Sequence, residues 1–155
     1  MSEVMKINSP RFGEIKCPKD KIIYFVIPIL GFPNSKRYII LEHDKECDFK
    51  WLLSIDEPEI AFVIIDPTLL FSDYPLVVFE KYSNLFSELE IKDINDLSII
   101  NIVTIPPDPT QATVNLLAPI VVNSKTFKAK QVILEGSDLP IKYPLFSQDE
   151  NKKQR

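Results

Sequence analysis

Glycine is scarce in this chain, with 3 in 155 residues. Loops that cradle a phosphate on bare backbone need glycine, so the composition speaks against them. The two cysteines, Cys17 and Cys47, are far apart and show no C-x-x-C spacing, so neither a zinc site nor a disulfide framework follows. There is one histidine, His43. No apolar run approaches the ~18 residues needed to span a bilayer, and the longest, residues 22–30, is broken by Pro28. The N-terminal residues alternate polar and apolar without the pattern of a secretory signal. The expectation is a cytoplasmic protein with no membrane association. Positive charge is also in deficit: the net charge is −4 and the pI about 5.1. Direct binding to nucleic-acid phosphates is therefore disfavoured, whereas a basic protein partner is compatible.

Proline is plentiful at 13, against 45% hydrophobic and 26% charged residues. Such a chain is expected to form one domain over residues 1–146, followed by a polar tail at 147–155. Short β-branched and aromatic runs bounded by turn residues predict strands in 7–17 (with a turn near Pro10 or Gly13), 21–27, 38–42, 49–55, 60–65, 76–80, 97–105, 112–116, 120–122 and 131–134. The run 60–65 is continuous and apolar, as expected of a strand buried on both faces. Residues 82–89 are the helix candidate, with Ser83 as its cap. The pattern predicts a mostly β protein, an all-β sandwich or a small barrel, with one short helix.

Catalytic chemistry finds little support. His43 lies in a charged turn beside Asp44, with Cys47 nearby, but nothing in the sequence supplies an activating environment or a third, orienting group. Asp56, Glu57, Glu59, Asp66, Asp73, Asp93 and Asp96 sit in turns or beside prolines without the spacing of a calcium loop, and turn capping accounts for them. Lys125, Lys128 and Lys130 alternate around Phe127, a pattern more usual for a solvated edge than for a nucleic-acid stripe. Trp51 reads as a core residue. Asn115 and Asn123 bracket the apolar run before the turn at Ser124, Lys125 and Thr126, and each is suited to bonding turn backbone. Pro119 inside that run points to an edge or a bulge.

The order of these motifs resembles the flagellar assembly factor FliW family. The resemblance rests on Pro28, Gly31-Phe32 and Ile39-Ile40-Leu41, then the run from Trp51 through Pro58, Ile60-Ala61-Phe62, Asp66-Pro67 and Asp73-Tyr74. It continues with Asn115-Leu116, the run from Ala118 through Asn123, and Gln131, and so extends from about Ile7 to Leu145. The chain departs from the family pattern at Leu53, where glutamine is usual, and at Ala129, where glycine is usual. The resemblance implies a small antiparallel β-barrel-like domain that is not an enzyme and uses no cofactor. It implies binding of flagellin in the cytoplasm and of the RNA-binding translational regulator CsrA, relieving repression of flagellin synthesis. On that reading the partner-binding residues are Asp56, Glu57, Asp66, Asp73, Tyr74, Asn115, Pro119 and Asn123, with Tyr74 as the aromatic anchor. The alternative role for each is to hold a turn. A second reading is a small-ligand barrel or enzyme with its site near His43 and Cys47.

Overall fold

The computed structural model describes residues 3–42 and 48–146. His43, Asp44 and Cys47 lie outside the described residues, as does the polar segment 147–155.

The first apolar alternation forms a hairpin of β1 (Val4–Ser9) and β2 (Gly13–Pro18). The Ser9 hydroxyl accepts the N–H groups of Arg11 and Phe12, and Gly13 takes the positive φ that closes the turn. Seven further strands close into a barrel: β3 (Ile23–Phe25), β4 (Arg37–Glu42), β5 (Phe49–Ser54), β6 (Ala61–Ile65), β7 (Leu97–Thr104), β9 (Ile120–Asn123) and β10 (Lys128–Gln131). Pairing of β7 with β9, from Leu97↔Asn123 to Ile100↔Ile120, completes the ring. The barrel is antiparallel except at β3 and β10, which run parallel. β8 (Thr113–Val114) and β11 (Tyr143–Pro144) extend the sheet beyond β7.

The continuous apolar runs follow from this layout, because much of the wall is covered on both faces. One core cluster lies within the barrel and draws on all its strands, including Phe25, Tyr38, Leu52, Ile64, Ile120 and Ala129, with Ile100 and Ile102 against it. Alternate residues of the same strands face outward. Ile39 and Leu53 meet Ile7 and Cys17 of the hairpin. Ile99, Val103 and Val121 meet Tyr74, Val78, Phe86 and Leu89. Leu53 is fully buried and makes an apolar contact with the hairpin, so no polar contact is made through this side chain. Ala129 is an ordinary strand residue between Phe25 and Val122, and the left-handed position belongs to Phe127 (φ 62°).

Three elements differ from the sequence expectation. Residues 76–80, expected as a strand, lie in helix α1 (Tyr74–Tyr82). Pro75 occupies its first turn, where a missing N–H costs nothing, and Tyr74 and Val78 bury one face at i, i+4 spacing. That packing overrides the strand preference of Val77, Val78 and Phe79. The expected helix at 82–89 is instead a 3₁₀ segment, Ser83–Leu89, kinked at Phe86, and Ser83 is the C-cap of α1 rather than an N-cap. The last barrel strand begins three residues earlier than expected, at Lys128.

Candidate functional site

An apolar cleft opens where the β3–β10 ladder fails. Tyr24 N–H donates to the Phe127 carbonyl at 2.8 Å and Val26 N–H to that of Ala129 at 2.9 Å. The next donor in this register would be residue 28, which is proline and has no N–H. The two strands splay there and leave a cavity of about 490 Å³. Phe32, Phe62 and Ile102 line it, and Ile27, Leu30, Ile133 and Ile141 stand at its rim, between 47% and 84% exposed. Among the described residues its polar lining is limited to the amides of Asn115 and Gln131, and no charged side chain contributes. Exposed apolar surface gathered in this way marks an interaction site more often than a solvated surface.

Asp56 and Glu57 tie down the chain that follows this cleft. Asp56 accepts Lys36 N–H at 2.8 Å and Arg37 N–H at 3.0 Å, and holds the Arg37 guanidinium at 2.9 Å through two nitrogens. Partial burial opposes ionisation, but these donors outweigh it and keep the Asp56 carboxyl below the usual range. Glu57 accepts a hydrogen bond from the buried Ser35 hydroxyl, which in turn accepts one from Ser54 at 2.8 Å. The Glu57 N–H closes the ring onto Ser54 Oγ at 2.9 Å. Both carboxylates therefore shape residues 35–37.

Asp66 lies at the other end of β6 and caps a short 3₁₀ turn through Thr68. It borders a second groove of about 380 Å³, with Glu42 and Asp48 at the same edge and Ile40, Leu69 and Ile100 between them. Among the described residues the lining holds one cation, Lys50, 3.5 Å from Glu42, against the three carboxylates, so this part of the groove is acidic.

Of the other expected residues, Tyr74, Asn115, Pro119 and Asn123 serve the fold. Tyr74 is 5% exposed; its hydroxyl donates to the Leu116 carbonyl at 2.6 Å and accepts from Asn101 Nδ2 at 3.2 Å. Burial pushes its pKa up to about 12, against the lowering effect of Asn101. An anchor for a partner needs a presented ring, and this one is enclosed. Asn101 also donates to the Asn115 carbonyl at 2.8 Å, so Tyr74, Asn101 and Asn115 form one buried network. Asn115 Oδ1 accepts the N–H groups of Leu117 and Ala118. Asn123 Oδ1 accepts those of Lys125 and Thr126, while its amide donates to the Leu89 carbonyl at 2.9 Å. Pro119 is buried and is not at an edge: β9 is bonded on both sides, and Pro119 precedes its first paired residue, where a missing N–H breaks no ladder bond. Asp73 is exposed at the start of α1 and its side chain makes no capping bond.

The expected residues thus fall into separate places, and only Asn115 lines the apolar cleft. The cleft's own residues were missed by sequence reasoning, although the apolar run interrupted at Pro28 carried a signal. Glu42 and Asp48 were missed because their distance from Asp66 in the chain hides their common groove. Among the described residues no cluster of ligating side chains could hold a metal ion, and no helix is long and apolar enough to cross a membrane.

Comparison with known proteins places this barrel. The family model described as FliW protein matches residues 6–145. The chain is 40% identical over 152 residues to the flagellar assembly factor FliW of Natranaerobius thermophilus, covering 97% of this chain and 98% of that one. It is 40% identical to the protein of the same name from Thermoanaerobacter pseudethanolicus, with 95% and 97% covered. Against that of Geobacter sulfurreducens it is 37% identical, with 96% and 91% covered. A crystal structure of the flagellar assembly factor FliW superposes with a TM-score of 0.81 at 30% identity, covering 93% of this chain and 99% of that one. With the same barrel and a match along nearly its whole length, the chain belongs to the FliW family.

Proposed function

We propose that this protein is a flagellar assembly factor that acts in the cytoplasm as a binding protein, taking up flagellin and antagonising the RNA-binding regulator CsrA to relieve repression of flagellin synthesis. The observation that carries the reading is the apolar cleft on a barrel whose relatives are named flagellar assembly factors. A cleft without charge suits the apolar face of a helical segment, the kind of surface flagellin's termini offer. The acidic groove at Glu42, Asp48 and Asp66 suits a basic regulator, and the net charge of −4 favours its approach. Asp56 and Glu57 contribute by fixing residues 35–37, and Asn115 by shaping the cleft wall.

The test is affinity capture from a flagellated host with the tagged chain, read by mass spectrometry. Recovery of flagellin and CsrA is the expected result. Recovery of neither from cells making both would refute the reading.

A further inference from the structure

A third, partly open recess lies between the β1–β2 hairpin and the barrel wall, and it shares no lining residue with the apolar cleft. Its volume is about 280 Å³, near the lower end of small-molecule sites at roughly 300 Å³. Ile23, Ile39, Leu41 and Phe127 give it an apolar body, and Lys16 and Lys21 stand in its wall, with no carboxylate in the lining among the described residues. Neither lysine forms an ion pair among the described residues, whereas Lys19, between them in sequence, is neutralised by Glu3 at 2.8 Å.

Phe127 supplies an independent observation. It ends the turn after β9 with φ 62°, a conformation that glycine or asparagine adopts at less cost. Its N–H closes the turn onto the Asn123 carbonyl at 2.7 Å. The ring packs against the barrel core cluster and also forms part of the pocket wall, with Lys21 Nζ 6.0 Å from its centre. Costly backbone geometry at a cavity wall is the kind of feature that accompanies binding sites.

We propose that this pocket binds a small amphiphilic carboxylate, whose apolar chain or ring rests on Ile23, Ile39 and Phe127 while its anionic head meets Lys16 and Lys21. The association is non-covalent. The Cys17 thiol at the pocket is directed to the Pro18 carbonyl at 3.4 Å, and burial, reinforced by Asp20, pushes its pKa up, away from the reactive thiolate. Occupancy would brace the hairpin against the barrel, because the ligand touches both.

Octanoate and octanol titrated separately into the full chain, followed by ¹⁵N–¹H correlation spectra, test this directly. Octanoate should give saturable shifts at Cys17, Ile23, Ile39 and Phe127, with octanol at least tenfold weaker. The double variant Lys16→Gln/Lys21→Gln should lose that preference while still binding octanol. Phe127→Ala, confirmed as folded by its melting curve, should weaken both probes. Equal affinity for the two probes, shifts gathered instead at Ile133 and Ile141, or no saturable octanoate shift would each overturn the proposal.

Discussion

Removing the Tyr74 hydroxyl leaves the buried Leu116 carbonyl without its donor and Asn101 with one partner fewer. Tyr74→Phe should therefore cost about 1–3 kcal/mol of stability, read from urea unfolding. The same group gives a pH dependence of defined sign. Tyr74 and Tyr38 both have pKa values raised to about 12, chiefly by burial, against ~10 in the unfolded chain. The folded state thus holds these protons more tightly. Their contribution is intact below pH ~10 and is lost as pH rises through about 12. Over that window the urea midpoint should fall less steeply for Tyr74→Phe than for the parent protein. Not all of this was legible in the sequence. Asn115 and Asn123 were read correctly as turn-bonding residues, because that chemistry is local and a short amide reaches backbone two or three residues on. Tyr74 was misread as a presented anchor because its burial depends on Leu116 and Asn101, remote in sequence.

Among the elements, α1 shows how packing overrules local preference. Its Val77-Val78-Phe79 run reads as a strand, and the deciding information is the burial of Tyr74 and Val78 beneath the barrel wall. The 3₁₀ segment that follows ends at Glu90 with φ 54°. Glu90→Gly should relieve that left-handed strain and raise stability by up to about 1 kcal/mol, measured by urea midpoint. Pro28 has a sharper role, since it ends the parallel β3–β10 ladder and opens the cleft. Pro28→Ala restores an N–H for which the Gln131 carbonyl is the next acceptor in the register of the ladder. That amide should become protected from hydrogen exchange, and the narrowed cleft should capture less flagellin. An unprotected amide at residue 28 would show that the strands splay for another reason. The strands were largely legible because their apolar runs are bounded by proline and polar turns. The parallel pairing was not, because no local pattern distinguishes a parallel neighbour from an antiparallel one.

Across the whole molecule, the barrel presents two surfaces of different chemistry. One is an uncharged cleft bordered by Ile27, Leu30, Ile133 and Ile141, and the other an acidic groove at Glu42, Asp48 and Asp66. Their lining residues do not overlap, as the proposed binding of two partners of unlike character requires. Neither surface was visible as a unit in the sequence. Each gathers residues from loops and strands that only barrel closure brings together. Ile133 and Ile141 are 47% and 57% exposed, so replacing them changes the cleft without opening the core. Calorimetric titration of monomeric flagellin into the parent protein and into Ile133→Glu/Ile141→Glu is the most direct test of the cleft. Saturable binding by the parent, weakened at least tenfold in a variant with an unchanged melting temperature, is the predicted result. Equal affinity for both proteins would contradict the assignment of flagellin to this cleft.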